Sequence, residues 1–556
     1  MKILITVALI VAITQFADSQ NIPYNTAPDW ESTPLSHIAT GLALVDINGD
    51  GWKDIVVANG NDILIQNLVV YYNNGDGTFP LVPSWSSEDA DYHGHCAAGD
   101  MNKDGWPDVV VSVYIGKAGF SQPGRIKVYY NIGGTLESTP SFESMEFYTF
   151  SCALGDANGD GWLDIAVAAG ESYTSVWDRG KVFFNNNGQF NTAPDWETAN
   201  LAGFMDVEFG DMDSNGFLDL VFISNQYPNA IYLSDDQGII SNQPAWQSSE
   251  TITFNNSLDI GYFGENKTPG FVTTGNNQLG GDGKVRFYDF PSGIPVNSAA
   301  TWISPPVGYG SGIALADVTR DGNLDLIYGG WWLPMRIIRG TGTSFENTVA
   351  YTSSTNSVVE AIQLADLGRK SIYVTTETLT QLPDQSNSII LKHQLVESIL
   401  AIYKNNLLLQ PSQYCFVPNK NWIAFTEKLL PADEIIVDYE VSSHPDIVIT
   451  NWDSQKGNYI FTNINNYLTI HDKKGRRSFL RLFPNPATTS CSVIFDVENP
   501  DLYTLKLYNA QGICVRNERP DQTDFEIDVK SLTPGLYFVG IEIEGKMIST
   551  EVLIIE

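Results

Sequence analysis

Five nearly identical stretches decide how this chain folds. DINGDGWKD occupies residues 46–54, and DMNKDGWPD, DANGDGWLD, DMDSNGFLD and DVTRDGNLD begin at residues 100, 156, 211 and 317. The first four starts are 54, 56 and 55 residues apart, and the last interval of 106 residues equals two such periods. A fixed period of this length indicates a repeat architecture in which each unit is one supersecondary structure.

Two further units complete the series. LDIGYFGENKTPGFV, which contains Asp259, fills the double interval, and IQLADLGRK carries Asp366 after the last complete stretch. Both are decayed copies that have lost most of the acidic side chains, so we expect them to hold no metal. The count of units is therefore seven.

Each unit contains the pattern of four short strands. An apolar stretch leads into the Asp-rich loop, a run such as DIVVANG follows from Asp54, and an aromatic strand and a Pro/Trp segment come next. Four strands per period and seven periods predict an all-β fold, a seven-bladed β-propeller. A solenoid is the alternative, but the two ends of the repeat region argue against it.

The two ends of the repeat region predict a closed ring. The segment NTAPDWE occurs at residues 25–31 and again at 191–197, where it is the fourth strand of its unit. The first copy has no unit before it, while residues 444–463 supply a second and third strand and then stop. We therefore expect the N-terminal strand to complete the last blade, with residues 371–443 inserted between that blade's first and second strands. An eighth blade is the alternative, since VDYEVSSHPDIV aligns without gaps on VDINGDGWKDIV.

The Asp-rich loops have the chemistry of calcium sites. The pattern D-x-[DN]-x-[DN]-G-x-x-D places side-chain oxygens at positions 1, 3, 5 and 9, and a backbone carbonyl at position 7 can complete the shell. Hard oxygen ligands in this number suit Ca²⁺ better than Zn²⁺ or copper. An EF-hand would need a Glu at position 12, where the first loop has Val57 inside a strand pattern. Plain Asx turns are the alternative interpretation.

These repeats resemble the FG-GAP (VCBS-type) repeats of integrin-α-like propellers over about residues 25–466. In that family the loop carboxylates bind Ca²⁺ on one face of a seven-bladed ring. The resemblance implies up to five structural Ca²⁺ sites, in which Asn215 would be a weaker ligand and Thr319 departs from the pattern. The implied ligands are Asp46, Asn48, Asp50 and Asp54; Asp100, Asn102, Asp104 and Asp108; Asp156, Asn158, Asp160 and Asp164; Asp211, Asp213, Asn215 and Asp219; and Asp317, Thr319, Asp321 and Asp325.

Composition and the N-terminus indicate an exported protein. Asp and Glu number 65 against 31 Lys and Arg, a net charge of −34, which argues against a nucleic-acid partner. Only 17% of residues are charged and 43% are hydrophobic, so the chain can bury a large core. Lys2, an apolar run over residues 3–13 and small residues up to Ser19 predict a signal peptide, residues 1–19. No later stretch is apolar enough to predict a transmembrane segment.

A different module follows a linker at residues 467–482, which contains the basic run KKGRR. Its order of motifs is PNPA from residue 484, LYNAQG from 507 and LTPGLYFV from 532, in an alternating pattern typical of a small β-sandwich. Residues 483–556 closely resemble the type A sorting domain of Bacteroidota type IX secretion. The resemblance implies the type IX machinery as a partner and a location outside the cell or on its outer surface. An ordinary adhesive sandwich domain is the alternative.

Few residues point to catalysis. No nucleophile motif, phosphate-binding loop or zinc-protease motif is present. His93 and His95 lead into the second Asp loop and His37 lies at the matching entry of the first, so the three are candidates to line a polar pocket. The adjacent Trp331 and Trp332 are candidates to stack on sugar rings, as is Trp177. The five cysteines are scattered, with Cys491 and Cys514 the one plausible bridge.

Three functions are compatible with these observations. The favoured one is a secreted or cell-surface, calcium-binding propeller that acts as a binding or adhesion module for glycan or protein ligands. The alternative is a polysaccharide lyase or hydrolase on the same scaffold, which would use the three histidines. A scaffold that recognises another surface protein is the third. A propeller fold by itself does not decide among them.

Overall fold

A computed structural model describes residues 22–250, 254–278, 280–295 and 297–464, and also residues 480–483, 487, 489–495, 503–509, 513–519, 524–530, 532–543 and 546–555. The expected signal peptide, residues 1–19, and the basic run of the expected linker lie outside the described residues. Contacts divide the chain into two compact units, Met1–Asn466 and Tyr467–Glu556.

The first blade shows the pattern of the whole ring. Its four strands, Ala39–Val45, Asp54–Asn59, Val69–Tyr71 and Trp85–Ser86, pair antiparallel in chain order. The first three are entirely buried, as expected for short runs of Val, Ile and Ala that are covered on both faces. The Asp-rich loop joins the first strand to the second.

The next four blades repeat this order. Their strands are Tyr92–Gly99, Asp108–Gly116, Gly119–Tyr129 and Phe142–Glu143; Thr149–Gly155, Asp164–Glu171, Lys181–Phe183 and Trp196–Glu197; Gly203–Gly210, Asp219–Asn225, Ala230–Tyr232 and Trp246–Ser248; and Asn255–Phe263, Thr268–Gly275, Val285–Asp289 and Trp302–Ile303. Two short strands add to these sheets: Val176–Trp177 in blade three and Asn297–Ser298 in blade four.

Blade six uses one long strand for two positions. The first half of Asp325–Ile338 pairs with Gly310–Ala316, and its second half pairs with Tyr351–Thr352. Between the two halves, Trp331 and Leu333 also pair with the first strand of blade seven. The middle of this long strand is therefore hydrogen-bonded to the first strand of blade seven.

Blade seven is closed by the N-terminus. It consists of Ser357–Ala365, Asp446–Asn451, Tyr459–Phe461 and the N-terminal strand Trp30–Glu31. Trp30 pairs with Ile460, and its ring meets Tyr71 of blade one at 5.7 Å. This is the closure that the repeated NTAPDWE segment predicts, and the described strands before residue 465 form seven blades and the small inserted unit.

The core lies between neighbouring blades. One cluster joins Val110 and Ile126 of blade two to Ile165 and Val167 of blade three, all with 0% of their surface exposed. Burial of one such side chain contributes about 1.5–3 kcal/mol, so each pair of adjacent sheets is held mainly by the hydrophobic effect.

The insertion in blade seven is a small β-unit of its own, which we call the cap, residues 366–445. A small hydrophobic core, which includes Ile402, Ile423 and Val437, lies between its two sheets. Its elements are Ile372–Leu379, Ser388–Ile390, Val396–Lys404, Leu407–Leu408, the 3-10 helix Pro411–Gln413, Tyr414–Phe416, Trp422–Phe425 and Ile435–Ser442.

The second unit has two sheets around a common core. One sheet contains Leu480–Phe483, Ser490–Phe495 and Asp524–Asp528; the other contains Cys514–Glu518, Tyr503–Asn509, Gly535–Ile543 and Lys546–Ile555. Cys491 is buried in the first sheet and Cys514 is exposed in the second, so the suggested bridge between them is absent. Among the described residues, no helix is long and apolar enough to cross a membrane.

Candidate functional site

Each Asp-rich loop folds around its own carboxylates. In blade one, the Asp46 carboxylate accepts the backbone N–H of Asp50 (3.1 Å) and of Gly51 (2.7 Å). Asp54, at the start of the second strand, accepts the N–H of Ile47 (3.0 Å) and of Asn73 (2.8 Å). The turn is sharp because Gly49 and Gly51 take positive φ angles, which glycine adopts without a steric penalty.

The same bonds recur in the other four complete loops. Asp100, Asp156, Asp211 and Asp317 each accept the N–H groups four and five residues later. The residues at position 9 each accept one N–H from the loop and one from the residue two positions after the end of the third strand. They are Asp108, Asp164, Asp219 and Asp325. Five loops of one sequence pattern thus share one conformation.

The loop of blade four brings its carboxylates closest together. Asp211, Asp213 and Asp219 each offer an oxygen within 4.8 Å of the others, and Asp219 is fully buried. Burial raises the pKa of Asp211 to about 7, and the neighbouring Asp213 charge adds to this. Three carboxylates at this distance repel each other, and a divalent cation would remove the repulsion. The donor set therefore fits Ca²⁺.

The two decayed units differ from the complete ones in the connection between their first and second strands. In blade five, Phe263 pairs with Thr268, so residues 264–267 are the whole connection. The corresponding connection of blade one is residues 46–53, and Asp259 is not a loop residue but lies within the first strand, paired with Val272. The decayed copy of blade five has therefore lost most of the loop itself as well as its acidic side chains.

In blade seven the loop survives in part. Asp366 accepts the N–H of Lys370 and of Ser371, as the complete loops do at positions 1, 5 and 6. Asp446 takes the position-9 role and accepts the N–H of Leu367 and Asn463. The cap is thus inserted inside an Asp loop, with a lysine at position 5 where the complete loops have Asp or Asn.

The cap lies over the face of the ring that carries the Asp loops. The amide of Asn387 donates to Asp156 of blade three at 2.6 Å, and the N–H of the same residue donates to Gly216 O of blade four. Lys103 of blade two donates to Ser412 O at 2.9 Å. The contacts reach several blades, so the cap covers this face across the ring.

Buried charges anchor the cap at the channel. Lys420 pairs with Glu208 of blade four, and its Nζ lies 3.7 Å from the Oδ1 of Asp259. Lys53 of blade one pairs with Glu397 of the cap at 3.1 Å. Glu208, Asp259 and the segment from Val417 to Lys420 line one end of a central cavity of about 200 Å³.

Of the three predicted histidines, only His95 is among the residues that line the central cavity. His95 lines the cavity, with its Nδ1 3.2 Å from Ser151 Oγ; burial lowers its pKa, but the hydrogen bond and charge of Asp206 outweigh this and raise it. His93 is fully buried against Asn59 O at 3.0 Å, and burial lowers its pKa to about 4. His37 is half-buried, and no described hydrogen bond joins it to the other two. A bulge lies between His93 and Cys96, so the pairing of the strand is irregular at the histidines.

The other end of the channel is open. Phe150 lies at the start of the inner strand of blade three and Asp156 follows its end, so the two mark opposite faces of the ring. A depression at this open end, which we call the mouth, is lined by residues of all seven blades. They include Asn61, Tyr114, Ser172, Asn225, Asn276, Trp331 and Glu360.

The mouth combines aromatic rings with buried polar groups. Glu360 is 1% exposed and accepts the indole N–H of Trp331 at 2.8 Å. Trp331 stacks on Trp452 at 5.5 Å with an angle of 12°, while Trp332 beside it is 58% exposed. Sequence analysis singled out the two adjacent tryptophans but missed Glu360 and Asn225, because nothing in their local sequence marks them. Trp177 instead packs edge-on against Tyr227.

Comparison with known proteins agrees with this architecture. Residues 46–111 match the model of the FG-GAP-like repeat, and residues 481–556 match that of the secretion system C-terminal sorting domain. Human integrin alpha-7 is 27% identical over 180 residues, which is 29% of this chain and 15% of the integrin. Human cartilage acidic protein 1 is 24% identical over 327 residues, 56% of this chain and 42% of the relative.

An enzyme is also among the relatives. Rat phosphatidylinositol-glycan-specific phospholipase D is 29% identical over 164 residues, 25% of this chain and 19% of the relative. The chain thus spans less than half the length of each of these relatives. A solved structure of the Dos1 propeller aligns with 63% of this chain and 91% of its own, at 11% identity and a TM-score of 0.35. The chain thus carries an FG-GAP-like repeat within its β-propeller and a secretion system sorting domain at its C-terminus.

Proposed function

We propose that this protein is a secreted, calcium-stabilised ring that binds its ligand at the mouth and does not transform it. The observation that carries the proposal is the position of the cap. Because the cap covers the face with the Asp loops, the mouth is the channel opening left for a ligand. Side chains from all seven blades converge there, rings and amides from blades one to six and the carboxylate of Glu360 from blade seven.

Calcium has a structural role in this proposal. The five complete loops would each hold one ion through the four side chains predicted from the sequence. Asp156 and Gly216, which the cap contacts, belong to two of these loops. The bound ions would therefore stabilise both the ring and the loops that the cap contacts, on the face opposite the mouth.

The sorting domain supports a surface location. A protein that carries this domain is directed to secretion, and the attached ring would then present its mouth outside the cell. The ligand would be a glycan or a protein of the surroundings. The absence of a shared histidine site supports binding over the lyase or hydrolase alternative, since no described contact joins His37 to His93 and His95.

The test is a binding assay that also scores chemistry. The full chain is passed through gels that contain polysaccharides and over immobilised surface proteins, and new chain ends are measured in the same samples. Tyr173→Arg places bulk and charge at the mouth, where Tyr173 is 47% exposed. Leu407→Arg makes the matched change on the cap, where Leu407 is 72% exposed.

We expect retention without new chain ends, weakened by Tyr173→Arg and unchanged by Leu407→Arg. Release of new chain ends would contradict a purely binding function. Retention that falls with Leu407→Arg and persists with Tyr173→Arg would move the binding surface to the cap.

A further inference from the structure

We propose that an uncharged polysaccharide binds at the mouth, with Asn225 as an acceptor for a sugar hydroxyl and the indole of Trp332, next to the mouth-lining Trp331, as the surface on which a sugar ring stacks. This inference rests on the proposed function, since it names the ligand class of the same opening. Three independent features support it: the exposed ring of Trp332 beside the mouth, an unsatisfied acceptor in the mouth and the charge of the residues that line it.

Trp332 is held in an exposed and strained position. Its φ angle is +58°, a region that L-residues with large side chains rarely adopt, and 58% of its surface is exposed. Its ring contacts Tyr309 at 6.0 Å and Trp331 at 6.4 Å, both edge-to-face. Backbone strain that fixes an apolar ring in solvent points to a functional role.

The rings beneath Trp332 make this position rigid. Trp331 stacks on Trp452, and its indole N–H is bound to the buried carboxylate of Glu360. The exposed indole therefore offers a fixed flat surface, and little side-chain entropy is lost when a ligand stacks on it. The apolar C–H face of a sugar ring is complementary to such a surface.

Asn225 supplies the polar half of the site. It is 3% exposed, lines the mouth and donates its amide N–H to Ser172 Oγ at 3.1 Å. Its Oδ1 atom is buried and has no hydrogen-bond partner among the described residues. A buried acceptor without a donor is unfavourable, and a ligand hydroxyl that reaches it would supply the missing bond.

The charge of the mouth selects the ligand class. Glu360 is the one charged side chain among the residues that line the described depression, which contains no Lys, Arg or His. Glu171, also buried, accepts the hydroxyl of Tyr114 from the same wall. Uronate or sulfate groups would be repelled by these carboxylates and would find no cation to pair with. An uncharged polymer has hydroxyl donors and no such penalty.

The experiment measures retardation of the full chain in native gels that contain laminarin, galactomannan or hydroxyethylcellulose, with alginate and pectate as the anionic set. Trp332→Gly removes the ring, and glycine adopts a φ of +58° without strain, so the variant should melt no lower than the parent. Asn225→Ala removes the acceptor. Leu407→Ala, on the cap, is the control.

We expect at least one uncharged polymer to retard the chain and neither anionic polymer to do so. Trp332→Gly should weaken the apparent affinity about tenfold, as for an aromatic anchor at an interface, and Asn225→Ala by about threefold to tenfold. Leu407→Ala should bind as the parent does.

Three results would overturn the inference. They are no retardation by any uncharged polymer, equal retardation by alginate or pectate, and parental binding by a folded Trp332→Gly variant. Binding that resists Trp332→Gly but falls with Tyr173→Arg would leave the proposed function intact and remove only the stacking site. New chain ends would instead contradict the proposed function.

Discussion

Replacement of Lys420 by methionine should loosen the cap from the ring. The ammonium group lies between two carboxylates of neighbouring blades, Glu208 and Asp259, and 33% of its side chain is exposed. Methionine keeps much of the side-chain length but leaves both carboxylates without a counter-charge. Removal of one partner from a buried ion pair costs about 3–5 kcal/mol, and the partial exposure lowers the expected loss to roughly 1–3 kcal/mol.

The loss should depend on pH. Burial raises the pKa of Glu208 to about 7, although the charge of Lys420 opposes the rise. Without Lys420 this pKa should rise further, so the carboxyl group takes up a proton as the pH falls and the repulsion with Asp259 decreases. The variant should therefore be most destabilised at pH 8 and nearly parental at pH 5.

Limited proteolysis at pH 8 and pH 5, together with thermal unfolding, measures this effect. We expect cleavage within residues 366–445 to be faster in Lys420→Met at pH 8. Lys284→Met is the control, because Lys284 and Asp282 form an exposed pair at 3.5 Å whose removal should change stability by less than about 0.5 kcal/mol. Equal cleavage of the Lys420→Met variant and the parent at pH 8 would refute the anchoring role.

Three further predictions concern the closure of the ring, a buried histidine and the cysteines of the whole chain. Trp30→Ala should lower the unfolding free energy by about 2–3 kcal/mol, because its half-buried ring seals the last blade against blade one; unchanged denaturant unfolding would contradict that closure. Lowering the pH from 7 to 5 should reduce the unfolding free energy by about 2 kcal/mol through His93, because this imidazole is protonated near pH 6.5 in the unfolded chain but only near pH 4 in the folded one. Thermal melts of His93→Gln should show a smaller loss of stability over this pH range. In the folded chain a thiol reagent should modify the exposed Cys514 first, whereas burial raises the pKa of Cys96 to about 12; loss of the fast reaction in Cys514→Ser is the check.

The ring and its closure could be predicted from the sequence because they rest on repetition. Each complete Asp loop has a glycine at position 6. The hydrogen bonds that Asp46 and Asp211 accept come from N–H groups four and five residues later, inside the nine-residue motif. The closure by Trp30–Glu31 was visible because the same seven letters occur later as a fourth strand. Repetition failed in blade five, where the connection is shortened and Asp259 lies in a strand.

The mouth and the contacts between the cap and the ring could not be predicted in this way. Asn387 and Asp156 are 231 residues apart in the chain, and Glu360 and Trp331 come from different blades. Such pairs depend on how the blades close around the channel, which no local pattern encodes. The histidines were grouped because they precede equivalent Asp loops, and that position does not encode which of their side chains faces the cavity.

The most direct test of a calcium-stabilised ring is calcium binding by the full chain after it has been stripped with a chelator. We expect several equivalents of Ca²⁺ to bind and to raise the melting temperature; a site filled at 100 times its Kd adds about 2.7 kcal/mol. Asp219→Ala should remove one equivalent, whereas Asp76→Ala, in an exposed turn, should remove none. Absence of bound Ca²⁺, with the same melting temperature in Ca²⁺ and in chelator, would contradict the role assigned to the loops.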